Sequence, residues 1–367
     1  MAPPSPQRAR PSLALVALGV AAFAVLFVAF ALRGMRDEGA PLAVIGVVTD
    51  AQYADYEEGK SAAGVPRYYR ESLRMVSQAA SAWAAVPASG GGVLAVVHVG
   101  DTVDGGKTRL SPGGAPAAAD AVRDALRLSG RPVHFVLGNH EFAIGDRAAL
   151  AKRLGFAPAA DGAAYRSFSP AEGVRVILLD SYAESVIGWP AGDARRVQAQ
   201  AALSAHNPLP EGKPQNDPGV LKGAERRWVA LGGAVGPAQL AWLRAQLAEA
   251  RAARQRVLLF SHVPLHPGAV SSWCGDLCLA WDYEDVLAVL REHAGTVVAC
   301  VAGHDHFGGA ARDASGIAFI TLQSVIETKR GGAAYGELRL YERHLRLTGT
   351  GRVRSRNFFL PPLPPPS

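Results

Sequence analysis

Seven side chains that can bind metal ions lie in five short motifs of this 367-residue chain. They are Asp50, Gln52, Asp101, Asn139, His262, His304 and His306. Carboxylate and amide oxygens suit harder cations such as Mn²⁺ and Mg²⁺, whereas imidazole nitrogen suits borderline transition metals. The mixture of oxygen and nitrogen groups therefore predicts a site for Mn, Fe or Zn.

The first two motifs also have ordinary structural interpretations. Asp50 and Gln52 are alternate residues leaving a predicted strand, so both side chains can reach one cation, yet an aspartate there is usually a turn former or helix cap. In Gly100-Asp101-Thr102-Val103-Asp104, Asp101 can join two cations and Asp104 can orient a neighbouring imidazole. Taken alone, that motif is more typical of an Asp-rich turn.

The other three motifs add imidazole groups. Asn139 stands beside His140, which can contact a substrate, and this pairing is already unusual. His262 follows another predicted strand, and His304 and His306 stand at i and i+2 after the next one. The metal-site prediction rests on the combination of all five motifs.

Short β-branched runs alternate with helical stretches after Pro41. Strands are predicted at Leu42–Val48, Val93–Val99, Val133–Leu137, Val174–Leu179, Val257–Phe260 and Val297–Val301. Helices are predicted at Tyr68–Ala85, Pro116–Leu128, Pro237–Ala252 and Tyr283–His293. This alternation indicates an α/β architecture, in which ligands bind beyond the carboxyl ends of the strands. Because the five motifs follow strand ends, we expect them to meet at one place.

The N-terminal region contains an apolar run from Leu13 to Leu32, long enough to cross a bilayer as a helix. The run exceeds a usual signal-peptide core, so an uncleaved anchor is favoured over a cleaved signal peptide with secretion. The flanking arginines weakly predict an extracytoplasmic body. The expected segments are a tail at 1–11, the anchor or signal at 12–33, a linker at 34–41, one domain at 42–353 and a Pro-rich tail at 354–367.

Composition excludes several classes of protein. The net charge is +6, but the basic residues are scattered, so no nucleic-acid partner is predicted. The cysteines, Cys274, Cys278 and Cys300, are too few for a disulfide framework, although an oxidising compartment would allow one bridge between the first two. The run at Gly105–Thr108 lacks the first glycine of a P-loop, and no serine-hydrolase elbow is found. The oligomeric state is left open.

The order of the five motifs resembles the calcineurin-like metallophosphoesterase superfamily over about Leu42 to Arg352. Gln52 in place of a more usual His, Arg67-Tyr-Tyr-Arg70, Cys278-Leu-Ala-Trp-Asp-Tyr283 and Val325-Ile-Glu-Thr328 make it similar to the manganese-dependent ADP-ribose/CDP-alcohol diphosphatases. The resemblance implies a four-layer α/β/β/α sandwich, two divalent metal ions and hydrolysis of a nucleoside diphosphate-linked small molecule.

The resemblance also implies roles for individual residues. Asp50, Gln52, Asp101 and His306 would hold one ion, and Asp101, Asn139, His262 and His304 the other. His140, held by Asp104, would donate a hydrogen bond or a proton. Cys278, Trp281 and Tyr283, in the aromatic-rich segment Trp273–Tyr283, would contact the substrate, where aromatic rings can stack a nucleobase. The alternative is that this segment only packs a loop onto the sandwich. The alternatives are another binuclear phosphoesterase or a membrane-tethered binding protein without turnover, although all seven ligand positions hold competent groups.

Overall fold

The computed structural model describes residues 39–61, 63–210 and 213–364. The strands in this part of the chain are β1 (Ala43–Val48), β2 (Gly59–Lys60), β3 (Pro66–Arg67), β4 (Ala95–His98), β5 (Val133–Phe135), β6 (Arg166–Ala171), β7 (Val174–Leu178), β8 (Arg256–Phe260), β9 (Val297–Ala302), β10 (Gly309–Arg312), β11 (Ala318–Thr321), β12 (Ala334–Leu340), β13 (His344–Gly351) and β14 (Arg356–Phe359). The α-helices are α1 (Tyr69–Ala84), α2 (Gly114–Arg127), α3 (Arg147–Leu154), α4 (Ala194–His206), α5 (Gly236–Ala252) and α6 (Tyr283–Glu292).

All six predicted strands and all four predicted helices are present, with ends that differ by one or two residues. Pro237 lies in the first turn of α5, where its missing amide hydrogen costs no helical hydrogen bond. Pro116 was expected to begin its helix, but α2 begins two residues earlier at Gly114. The buried faces of these elements carry enough apolar residues to be recognised without tertiary information.

Two six-stranded sheets form the centre of the fold. The first has the order β14-β13-β12-β1-β4-β5, and the second has the order β10-β11-β9-β8-β7-β6. The pairs β1–β4 and β4–β5 are parallel in the first sheet. The run β7-β8-β9-β11 is parallel in the second. Parallel pairing brings the carboxyl ends of neighbouring strands to one edge of each sheet.

The sheets pack face to face, with helices on their outer faces. Ile45 of the first sheet shares a buried cluster with Val176 and Phe260 of the second. Ile177, which follows Val176 on β7, lies on the opposite face of the second sheet. It packs with Leu243 of α5 in a second buried cluster. Helices α1 and α2 cover the first sheet, so the layers are helix, sheet, sheet and helix. The predicted α/β class is confirmed.

The C-terminal strands were missed at the level of sequence. The hairpins β12-β13 and β13-β14 extend the first sheet antiparallel to β1, and their pairing is decided by distant neighbours. The segment 354–367 is predicted to be a Pro-rich tail, but residues Arg356–Phe359 within it form β14. Arg256 then donates a hydrogen bond of 2.9 Å to the carbonyl of Pro361. The folded part therefore extends past residue 353.

The predicted anchor at 12–33 lies outside the described residues. Among the residues that the structure does describe, no helix combines the length and the apolar character needed to cross a bilayer. The choice between an anchor and a cleaved signal therefore stays a prediction.

Candidate active site

The seven predicted ligand residues come from five strand ends and from both sheets. Asp50 and Gln52 follow β1, Asp101 follows β4, and Asn139 follows β5, all in the first sheet. In the second sheet, His262 follows β8, and the pair His304 and His306 follows β9. The carboxyl edges of the two sheets thus supply opposite sides of one site.

A buried cluster of two carboxylates and one imidazole lies at the centre. Asp50, Asp101 and His262 each offer a ligand atom, and these atoms lie within 4.8 Å of one another. His262 Nε2 lies 3.5 Å from Asp101 Oδ2, and His306 Nε2 lies 3.3 Å from Asp50 Oδ1. The His304 ring centroid is 5.1 Å from that of His262. The structure therefore brings the predicted imidazoles and carboxylates together.

The backbone at four of these positions adopts the left-handed conformation. The φ angles are 49° at Asp50, 39° at Gln52, 57° at Asp101 and 65° at His304. Only one other non-glycine residue in the described ranges, Arg254, has a positive φ. Such conformations cost about 1–3 kcal/mol each and cluster at functional sites. At this sheet edge the strained backbone sets the direction of the ligand side chains at a cost in stability.

Two glycines permit the close approach of the ligand loops. A Cβ atom on Gly138 would overlap the Asp101 carboxylate, and one on Gly303 would overlap the side chains of Thr49 and Asp50. These glycines directly precede Asn139 and His304. The loops that carry these two residues can approach Asp101 and Asp50 closely because glycine has no side chain.

Glu141 fixes the position of Asp101 from below. This fully buried carboxylate accepts hydrogen bonds from the amides of Asp101 at 2.9 Å, Thr102 at 2.6 Å and Gly138 at 2.7 Å. Asp101 Oδ1 in turn accepts the amide hydrogen of His140 at 2.9 Å, which leaves Oδ2 directed into the cluster. Glu141 directly follows His140 in the sequence, but no role was predicted for it.

Glu327 holds one of the predicted histidine ligands. Its Oε1 accepts from His306 Nδ1 at 2.9 Å, and its Oε2 lies 3.3 Å from Arg352 Nη2. A carboxylate on Nδ1 fixes the ring and turns Nε2 towards the cluster, as second partners of metal-binding histidines commonly do. Glu327 appeared in the sequence only within a motif that carried a family resemblance.

The buried carboxylates of the cluster require positive charge close to them. Burial opposes protonation of His262, but the carboxylates of Asp101 and Asp50 outweigh it and raise the pKa of His262 to about 10. Burial is likewise outweighed at His306, where Asp50 and Glu327 raise the pKa to about 9. Burial and the charge of His262 lower the pKa of His304 to about 3. Protons on two imidazoles thus balance the carboxylates, and a divalent cation would displace them.

Two buried atoms of the cluster have ion-pair contacts, at 3.3 and 3.5 Å, but no hydrogen-bond partner within the described residues. They are Asp50 Oδ1 and His262 Nε2. Buried polar atoms are normally hydrogen-bonded, so two ligand atoms without a hydrogen bond at the centre of the site indicate a position for a cation. A divalent cation fits this donor set of carboxylate oxygen and imidazole nitrogen.

Gln52 lies in the cluster with its amide nitrogen, not its oxygen, towards Asp101. Gln52 Nε2 donates to Asp101 Oδ2 at 3.0 Å, while Oε1 accepts from Arg67 Nη1 at 2.7 Å. To bind a cation through oxygen, the amide must turn over and release Arg67. The assignment of Gln52 as a ligand stays a prediction, and Arg67 is a site residue to which sequence analysis gave no role.

His140 is oriented by a backbone amide and not by Asp104 as predicted. The Gly105 amide donates to His140 Nδ1 at 2.8 Å. Asp104 instead accepts from the amides of Gly106 at 3.0 Å and Lys107 at 2.7 Å, so it shapes the loop that carries Gly105. Because Nδ1 of His140 is an acceptor, the ring hydrogen of the neutral form is on Nε2, which lies 3.9 Å from Asp101 Oδ2.

Comparisons with known proteins agree with this geometry. Residues 44–308 match the family model of the calcineurin-like phosphoesterases. The chain belongs to the calcineurin-like phosphoesterase family. A protein of Arabidopsis thaliana named manganese-dependent ADP-ribose/CDP-alcohol diphosphatase is 35% identical over 320 residues, which cover 87% of this chain and 97% of that protein. A Danio rerio protein of the same name is 37% identical over 85% of this chain and 97% of its own length.

A solved structure supports the assignment at the level of the fold. The crystal structure of a dimetal phosphatase from Danio rerio superposes with a TM-score of 0.80 and 36% identity, covering 88% of this chain and all of that one. Because the similarity covers 88% of this chain, it is not confined to the metal-site motifs.

The cluster of this calcineurin-like phosphoesterase opens into a cavity of about 180 Å³. Its walls are formed by Gln52, Arg67, Asp101, Asn139, His140, Asn216, Val229, Leu231, Cys274, Leu277, Cys278, His304 and His306. Cys274 and Cys278 form a disulfide, which closes a loop on this wall. Cys278 therefore lies on the cavity wall, and its contact with substrate stays a prediction.

Trp281 and Tyr283 do not line this cavity. Trp281 is buried against Trp228 at 5.2 Å between ring centroids, and its Nε1 donates to the carbonyl of Val229 at 3.2 Å. Tyr283 is buried at the start of α6. Both rings are committed to packing, so their predicted contact with substrate has no support from their positions. The alternative, that this segment only packs a loop onto the fold, agrees with the positions of these two residues.

Proposed function

We propose that this calcineurin-like phosphoesterase hydrolyses the diphosphate bond of nucleoside diphosphate-linked small molecules with Mn²⁺ as its metal. The products would be a nucleoside monophosphate and a phosphorylated partner, from substrates such as ADP-ribose or CDP-choline. The observation that carries the proposal is the buried cluster of Asp50, Asp101 and His262, in which Asp50 Oδ1 and His262 Nε2 have no hydrogen-bond partner among the described residues. Relatives of the same length range bear the name of that activity.

The ligand set provides places for two ions. Asp50, Gln52, Asp101 and His306 would hold one, and Asp101, Asn139, His262 and His304 the other. When bound, such ions neutralise phosphoryl oxygens and lower the pKa of water, which provides the nucleophile without a covalent enzyme intermediate. Asp101 would be shared between the two ions. Glu141 holds the Asp101 backbone and the His140 amide holds Asp101 Oδ1, so that Asp101 Oδ2 is directed at the site.

Residues on the cavity wall would position the substrate. His140 presents Nε2–H to the cavity and can donate a hydrogen bond to the oxygens that gain charge in the transition state. Its Nδ1 would have to lose the Gly105 bond before the ring could carry a second proton. Arg67 lines the same cavity and suits the second phosphate of a diphosphate, since a guanidinium binds phosphate in a fixed fork.

Substrate preference tests the proposal. With Mn²⁺, we expect kcat/KM for ADP-ribose or CDP-choline to exceed that for p-nitrophenyl phosphate at least about 100-fold, because the diphosphate engages both the metal cluster and Arg67. Initial rates across a panel that includes a cyclic mononucleotide measure this. A preference for the monoester or the cyclic compound would assign another phosphoesterase activity to the site. Metal binding without turnover of any member would favour the non-catalytic alternative.

We also propose that Leu13–Leu32 anchors the protein and that the catalytic domain is extracytoplasmic. The disulfide between Cys274 and Cys278 supports an oxidising compartment. We expect the full chain to stay with membranes after an alkaline wash and to keep its N-terminus, because about 20 apolar residues bind a bilayer almost irreversibly. Fractionation and N-terminal mass spectrometry measure this. A soluble form beginning near Leu32 would establish a cleaved signal peptide instead.

A further inference from the structure

Trp273 is a large apolar side chain exposed beside the active-site cavity. Its side chain is 59% exposed, although it directly precedes Cys274, which lines the cavity. Single exposed apolar residues are common on protein surfaces, so exposure alone says little. Trp273 differs from an isolated exposed residue because one side of its ring packs against Phe307.

Trp273 packs against Phe307, and Phe307 is in turn contacted by Arg352. The Trp273 and Phe307 ring centroids are 5.1 Å apart, and the Arg352 guanidinium carbon lies 5.5 Å from the centre of the Phe307 ring. Arg352 also contacts Glu327, the partner of His306. A chain of contacts therefore runs from Glu327 through Arg352 and Phe307 to Trp273. Trp273 is the exposed end of this chain.

The loop that carries Trp273 is tied to the metal-site loop. The Ser271 hydroxyl donates to Asp305 Oδ1 at 2.8 Å, and the Ser271 amide donates to the other oxygen of the same carboxylate. Asp305 stands between His304 and His306. On the far side of Trp273, the disulfide between Cys274 and Cys278 closes the loop. Trp273 is thus held on both sides within a few residues, at the rim of the cavity.

From these contacts we propose that Trp273, backed by Phe307, is the surface on which the nucleobase of the substrate stacks. The inference rests on the proposed function and adds the part of the site that recognises the base. In a nucleotide, a ribose separates the base from the phosphate, so a base-binding surface belongs at the rim, and not beside the metal ligands. Trp281 and Tyr283 are buried and cannot take this role. A π-face accepts any base, so adenine and cytosine compounds would both bind.

The test compares two ligands that differ only by the base. AMP and ribose 5-phosphate binding to the Mn²⁺-loaded full chain is measured by titration calorimetry, which needs no turnover. We expect Trp273→Ala to weaken AMP binding about tenfold and to leave ribose 5-phosphate binding within about twofold, because stacking is worth about 1–3 kcal/mol per base. Trp273→Phe should retain most of the affinity for AMP.

The matched control is Phe359→Ala, which removes a ring of similar exposure, 61%, from β14 outside the cavity wall. It should leave binding of both ligands unchanged. Equal affinity of the wild type for AMP and ribose 5-phosphate, or an equal loss of both in Trp273→Ala, would overturn the stacking role. Because binding is read without turnover, absence of diphosphatase activity would overturn the proposed function and not this inference.

Discussion

Replacing Asp101 by alanine is expected to abolish hydrolysis and metal binding together. Asp101 is buried at the centre of the cluster, with Oδ2 3.5 Å from His262 Nε2 and 3.0 Å from Gln52 Nε2. Metal ions contribute several kcal/mol of charge stabilisation to such reactions, and each 1.36 kcal/mol corresponds to a tenfold change in rate. We therefore expect kcat/KM to fall at least about 1,000-fold. Initial rates and the metal content of the purified variant measure the two effects.

A matched aspartate variant separates this effect from general damage. Asp124 lies on the exposed face of α2 and pairs only with neighbouring arginines, so Asp124→Ala should retain full activity and metal content. Turnover within tenfold of the wild type by Asp101→Ala, or by the wild type after chelation, would contradict a metal-dependent reaction at this cluster.

Replacing His140 by alanine is expected to lower kcat about 100- to 1,000-fold without loss of metal. That range is the usual cost of removing one hydrogen-bond donor to a developing oxyanion. Because the Gly105 amide occupies Nδ1, the structure favours hydrogen-bond donation from Nε2 over proton transfer. We expect the loss to be similar for substrates with good and poor leaving groups. Rates for a p-nitrophenyl ester and an alkyl ester of the same nucleotide measure this.

The variant His140→Gln provides the control for the donor role. A glutamine amide can place an N–H near the position of Nε2, so it should restore part of the rate that alanine loses. A loss confined to the alkyl ester would instead identify His140 as the proton donor to the leaving group. Metal content equal to that of the wild type is required of both variants.

The amino-acid sequence alone determined the positions of the site and the central strands. Asp50, Asp101, His262 and His304 each follow a strand that is buried on both faces in the structure, and Asn139 follows β5, which is buried at Phe135 and half-buried before it. Such strands need no distant partner to be recognised, because continuous apolar character indicates a buried parallel strand. Because the carboxyl ends of parallel strands lie at a common edge, the sequence predicted that these residues would lie close together.

Only the tertiary structure decided which side chains touch. Glu141, Glu327 and Arg67 act through contacts with residues 15 or more positions away, and no local pattern encodes such partners. The same reason explains the strands β12 to β14, whose short amphipathic runs become a sheet only by pairing with β1 and with each other. Asp104 and Trp281 were assigned to the site from their closeness in sequence to its motifs. Backbone amides took the place of Asp104, and the packing against Trp228 turned Trp281 away from the cavity, because burial and hydrogen bonding in three dimensions decide where a side chain points.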